Sequence, residues 1–208
     1  MTITIIDYGA GNLRSVEKAF LYLGYDVDVT SNPKKIASAK KLVLPGVGSF
    51  RDAMDSLKAH NLVEPIKAAI EAKTPFLGIC LGMQMMYEFS EEGDAEGLGI
   101  LKGKIRRFSD DMGLKIPQIG WNSLEVKRPS VLLKGLGENP FVYFVHSYYL
   151  EAEEPETVVA TTHYGIHPHV LIEKDNIFLC QFHPEKSGET GLKMLKNFAE
   201  YSPEENNK

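Results

Sequence analysis

Thr74-Pro75-Phe76-Leu77-Gly78-Ile79-Cys80-Leu81-Gly82-Met83-Gln84 carries an apolar β-type run straight into a helical one, with Cys80 at the junction. Gly78 and Gly82 flank the cysteine at the spacing of a nucleophile elbow, a tight strand-to-helix turn usually built around serine, where small neighbours let the backbone bend. A sulfur placed there sits over unpaired N–H groups and the positive end of the helix dipole, which stabilises its thiolate. A small buried core thiol is the alternative for Cys80 taken alone.

Working outward, the strand–helix unit repeats. Residues 2–7, 26–30, 41–44 and 75–79 read as strands, and 12–24, 49–59, 65–72 and 81–89 as helices, the first with Leu13, Val16, Phe20 and Leu23 on one face and the second opened by Ser49 as N-cap. Such alternation needs crossovers, so it predicts an α/β fold: a mostly parallel sheet covered by helices. From residue 98 the pattern changes to strands at 99–105, 116–126, 141–149, 157–162, 169–174 and 176–182, which should extend the sheet or form a small antiparallel annex. A last helix is expected over 189–201, giving one domain over 1–201 and a polar tail over 202–208.

The 208 residues carry 23 Lys and Arg against 28 Asp and Glu, a formal net charge of −5 with the basic residues scattered. That balance favours neither nucleic acid nor a membrane surface, and leaves a small-molecule substrate as the expectation. No apolar run reaches the length of a membrane span, and Met1-Thr2-Ile3-Thr4-Ile5-Ile6-Asp7 reads as a first core strand in place of a leader, so a cytoplasmic location is expected. Two cysteines make no disulfide framework, and Cys180, inward on its strand, reads as core.

A second segment gives Cys80 its chemistry. Ile177-Phe178-Leu179-Cys180-Gln181-Phe182-His183-Pro184-Glu185-Lys186-Ser187 is an apolar strand ending in His183 and Glu185, two apart and so on one face of extended chain. Glu185 can orient one ring nitrogen while the other points to a nucleophile, which makes Cys80, His183 and Glu185 a candidate triad. Thiolate attack on a carboxamide creates an oxyanion that needs preorganised N–H donors. Leu44-Pro45-Gly46-Val47-Gly48-Ser49-Phe50 follows a strand and opens a helix, so the N–H of Leu81 and one from Val47 or Gly48 are the candidate oxyanion hole.

Two other motifs carry less. Tyr8-Gly9-Ala10-Gly11-Asn12-Leu13 has Arg14 where a dinucleotide fingerprint needs a small residue, and no Walker lysine is present, so no nucleotide cofactor is expected. His163, His167 and His169 suggest metal, but Pro168 interrupts them and no further ligand completes a set; a solvated hairpin without metal is expected.

With these residues in place, the chain resembles the class I, triad-type glutamine amidotransferases, and within them the glutaminase subunits of imidazole glycerol phosphate synthases. The resemblance runs nearly end to end, through Asp7 to Leu13, Leu44 to Phe50, Gly78 to Gln84, Ile119-Gly120-Trp121-Asn122, Phe144-Val145-His146-Ser147-Tyr148-Tyr149 and Gln181 to Ser187. It implies a flavodoxin-like fold, hydrolysis of L-glutamine, Cys80 as nucleophile, His183 as base then acid, and Glu185 as its orienter. It further implies that Gln84 and the backbone around Ser147 and Tyr148 hold the amino-acid end of glutamine. By family position Asn12, Trp121 and Lys186 would lie at the interface with a (β/α)8-barrel cyclase subunit, which would receive the ammonia in a heterodimer. Cys180 and the run Ile166-His167-Pro168-His169 depart from the family pattern without touching the triad. A glutaminase of another pathway and a catalytically silent amidotransferase-like binding subunit are the alternatives; glutamate release and the identity of the bound synthase separate the three.

Overall fold

The first four strands pair in parallel in a computed structural model that describes residues 1–9 and 12–203. Ala10 and Gly11 of the first glycine-rich loop, and residues 204–208 of the expected tail, lie outside the described residues. Strands β1 (Thr2–Ile6), β2 (Asp26–Thr30), β3 (Leu42–Gly46) and β4 (Phe76–Cys80) alternate with helices α1 (Leu13–Tyr22), α2 (Pro33–Ala37), α3 (Phe50–Ala59) and α4 (Val63–Glu71), and α5 (Leu81–Gln84) leaves β4 directly. The remaining strands are β5 (Phe89–Ser90), β6 (Ala95–Glu96), β7 (Gly103–Arg107), β8 (Gln118–Ser123), β9 (Glu125–Val126), β10 (Phe141–His146), β11 (Tyr148–Ala152), β12 (Val158–Thr161), β13 (His169–Lys174) and β14 (Ile177–Cys180), before α6 (Gly188–Glu200).

One twelve-stranded sheet runs β2-β1-β3-β4-β14-β13-β11-β7-β5-β6, with β12 against β13 and β9 against β12. It is parallel from β2 to β14 and turns antiparallel at β13. Strands buried on both faces read as continuous apolar runs. Leu42 and Leu44 accordingly pack into one core cluster with Phe76 and Leu179, while Val43 between them packs into the other with Leu77 and Phe178. On the second face α1 buries Val16 and Phe20, with Leu13 and Leu23 packed partly against the same cluster.

Several elements differ from the sequence reading. Helix α5 stops at Gln84 instead of running to 89, because the carbonyls of Met85, Met86 and Tyr87 accept from the N–H groups of Leu98 to Leu101, not from a further helical turn. Those long-range bonds set up the β5–β6 hairpin. The run 116–126 divides at the buried Leu124, whose N–H goes to Pro140 O at 2.9 Å. The run 141–149 divides at Ser147, since β10 pairs only with β8 in a separate two-stranded sheet while β11 joins the main one. Helix α2 is short and carries no periodic signal; Asn32 caps it by accepting from Lys34 N at 2.9 Å, with Pro33 in its first turn. Ser49 holds the N-cap position of α3 without a side-chain hydrogen bond, and the Glu92 carboxylate takes the Phe50 N–H instead, at 2.9 Å.

Candidate active site

Three adjacent parallel strands deliver the site. Gly46 of β3 pairs in register with Cys80 of β4, and Cys180 of β14 with Ile79, so the residues that follow each strand emerge together at the carboxyl edge of the sheet. Val47 and Gly48, Cys80 and Leu81, and Gln181 to His183 therefore converge although they come from distant parts of the sequence. Cys80 takes φ 54° and ψ −110°, a conformation that side chains rarely adopt and that the surrounding packing must enforce. Gly82 makes the enforcement possible, since a Cβ there would overlap the Leu44 carbonyl of the neighbouring strand.

The His183 ring is buried, and its backbone is pinned by its N–H to Tyr143 O at 2.9 Å and by Ser187 Oγ to its own carbonyl at 2.7 Å. Nδ1 donates to Glu185 Oε1 at 2.8 Å, and both side chains are shielded from water. Burial opposes a charge on the ring, but the Cys80 sulfur and the Glu185 carboxylate on its two sides outweigh it and hold the imidazole up at about 9. Nε2 is buried with no partner in hydrogen-bonding geometry among the described residues, so the atom that would handle the proton is not committed elsewhere. Glu185 Oε1 also accepts from Asn12 Nδ2 at 2.6 Å. Asn12, an expected interface residue, thus sits half-buried against the Glu185 carboxylate.

Cys80 and His183 line a cleft of about 260 Å³ with Val47, Gly48, Leu81, Gln84, Ser147 and Tyr148, which brings every expected oxyanion and glutamine contact to one place. Gln84 Nε2 donates to Tyr148 O at 3.2 Å and to Gln181 Oε1 at 2.8 Å. His146 Nδ1 donates to the same Tyr148 carbonyl at 2.8 Å; burial holds this imidazole down to about 4, so it is neutral at pH 7. A larger groove of about 680 Å³ runs from Val126 to Glu138; neither cysteine nor histidine lines it, its Ser130 hydroxyl donates to Glu173 Oε2, and Arg128 donates to the carbonyls of Pro129, Thr157 and Glu173. The expected nucleophile and histidine share the smaller cleft.

Trp121 is 55% exposed on β8 beside exposed Ile119 and Phe141, and Lys186 is exposed one residue past Glu185. The structure thus sets these two outside the cleft. Cys180 is buried, and burial, followed by the nearby Glu185 and Cys80, pushes its thiol well up. His163 and His167 are exposed and His167 Nδ1 lies 2.9 Å from Glu125 Oε2, whereas His169 Nδ1 accepts from Ala152 N at 3.0 Å. Among the described residues no three His, Cys, Asp or Glu side chains gather as a metal site. Sequence reasoning gave no role to Gln181, His146 or Glu92. Their one signal is a polar residue inside an apolar strand or, for Glu92, none.

The family model "Glutamine amidotransferase class-I" matches residues 4–201. The chain is 55% identical over 199 residues to the "Imidazole glycerol phosphate synthase subunit HisH" of Caldanaerobacter subterraneus subsp. tengcongensis, covering 95% of this chain and 97% of that one. It is 50% identical over 204 residues to the protein of the same description from Syntrophotalea carbinolica, covering 95% and 99%. Among solved structures it is similar in fold to PurLQS from Thermotoga maritima, with TM-score 0.76 and 20% identity over 96% of this chain and 98% of that one. A structure described as a glutamine amidotransferase superposes with TM-score 0.73 at 19% identity, over 94% and 98%.

Proposed function

This chain belongs to the class I glutamine amidotransferases, and from that premise we propose that it is the glutaminase subunit of an imidazole glycerol phosphate synthase, acting in histidine biosynthesis with a (β/α)8-barrel cyclase subunit as partner. The observation that carries the reading is the buried His183 ring, bonded to Glu185 through Nδ1 and lining one cleft with Cys80. Gln84, Ser147 and Tyr148 hold the amino-acid end of L-glutamine there. The proton that Cys80 gives up resides on the His183 ring, which holds it up to about 9, and the sulfur attacks the carboxamide carbon as the anion. The oxyanion is met by the N–H of Leu81 and one from Val47 or Gly48. When the intermediate collapses the C–N bond breaks, His183 returns its proton to the departing nitrogen, and ammonia leaves a γ-glutamyl thioester behind. Water, losing a proton to His183, then attacks the thioester carbon; the C–S bond breaks, glutamate departs and the sulfur regains its proton.

Ammonia released to water would be protonated and lost, so the reaction calls for a partner that takes it directly. The exposed apolar strip of Ile119, Trp121 and Phe141 supports a docking face, while Asn12 is bonded to Glu185 and exposed Lys186 follows that residue in the chain. In the assembled synthase, Cys80→Ala should lower glutamine-dependent synthesis by at least about 10³-fold while ammonium salts still support synthesis, because the acceptor chemistry lies on the partner. Equal loss of both activities, assayed as imidazole glycerol phosphate formed, would refute this division of labour.

A further inference from the structure

Gln181 has no part in the steps above, yet it is fully buried beside the nucleophile. Its Nε2 lies 3.6 Å from Cys80 Sγ, its Oε1 accepts from Gln84 Nε2 at 2.8 Å, and Gln84 Nε2 also reaches Tyr148 O at 3.2 Å. The direction of this chain is fixed at its far end. A backbone carbonyl can only accept, so Gln84 must present its NH2 group to Tyr148 O, and the second hydrogen of that group then requires an acceptor. Oε1 of Gln181 supplies it, which turns the NH2 group of Gln181 to the sulfur. His146 Nδ1 holds the same carbonyl at 2.8 Å and reinforces the order. Rotating Gln84 would set acceptor against acceptor at Tyr148 O, and rotating Gln181 would set donor against donor at Gln84, in a site where both amides are buried.

An N–H aimed at sulfur discriminates between its two states, because a thiol is a weak acceptor and a thiolate a strong one. On the amidotransferase reading of this site, we propose that Gln181 is a further catalytic residue, donating through Nε2 to the Cys80 thiolate, and that its anchoring by Gln84 ties the nucleophile to the residue that grips glutamine. The donor raises the anionic fraction of the sulfur before attack. It also eases expulsion of the sulfur when the thioester breaks.

Two substitutions test this in the full chain. Gln181→Met keeps the bulk and removes the donor; Gln181→Glu keeps an acceptor for Gln84 and turns a carboxylate oxygen on the sulfur, so it serves where the methionine variant fails to fold. Alkylation of Cys80 by iodoacetamide is followed by peptide mass spectrometry from about pH 6 to about pH 10, with buried Cys180 as internal control and thermal melts to confirm folding. Alkylation should slow roughly tenfold near neutral pH in Gln181→Met, with the profile displaced to higher pH, and further in Gln181→Glu. In the synthase complex the loss of the sulfur's donor should appear in kcat, and the loss of the Gln84 anchor in KM. Alkylation profiles of folded variants that superimpose on the wild type would overturn the proposal, whatever turnover does. A wild-type complex that leaves glutamine intact would overturn the amidotransferase reading instead, and the alkylation profiles would still judge Gln181.

Discussion

His183 and Glu185 form a buried pair whose energetics should be visible in the pH dependence of stability. The folded protein keeps the imidazole protonated up to about 9, against 6.5 for the ordinary side chain, so the contribution is fully present below pH 6.5 and is lost as pH rises through 9. Part of that shift comes from Glu185. Thermal melts of wild type and Glu185→Gln should therefore be furthest apart near pH 6 and draw together towards about pH 10; a gap that stays constant across that range would show that the carboxylate does not act on the imidazolium. At this scale the sequence reveals what spacing reveals. The His-x-Glu alternation and the glycines around Cys80 are local patterns, and the structure brings Cys80 and His183 to one cleft with Glu185 bonded to the ring. The bonds of Gln181 to Cys80 and Gln84, and of Asn12 to Glu185, join residues about a hundred or more positions apart and leave no local trace.

At the scale of elements, the turn from β4 into α5 depends on how closely two backbones cross. Gly82→Ala should force α5 off β3, because its methyl has no room at the Leu44 carbonyl. Overpacking of this kind costs about 2 kcal/mol or more, so the melting temperature should fall by roughly 4–8 °C and Cys80 alkylation should change with it. A Gly82→Ala protein with wild-type melting and alkylation would mean that the crossing is not what shapes the elbow. The strands and helices of the first half were readable because parallel strands buried on both faces are unbroken apolar runs. The second half was readable as strands but not in its divisions: the breaks at Leu124 and Ser147, and the early end of α5, are set by which distant carbonyls and N–H groups find each other.

For the whole molecule, the decisive placement is that of β14, which crosses from the end of the chain to lie beside β4 and closes the site. Alternation of strands and helices announces a parallel sheet but not this order. Lys41 fastens the closing helix α6: it is buried, its Nζ donates to Phe198 O at 3.1 Å and to Tyr201 O, and it lies 5.4 Å from the Phe198 ring. Burial lowers its pKa from 10.5 to about 8, so keeping it charged costs stability below that point and the cost fades as pH rises from about 8 to 10.5. Wild type should gain melting temperature relative to Lys41→Met across that window, by a few degrees, opposite in sign to the Glu185 comparison. No change in the difference would mean that the ammonium is as well solvated in the folded chain as in the unfolded one.

The separate β8–β10 ribbon carries Trp121 on its outer side, and Ser147 is the single residue between β10 and β11, where the Tyr148 carbonyl takes the Gln84 amide. Pressure on the tryptophan side of that ribbon thus has a lever arm one residue long to the wall of the cleft that holds Cys80.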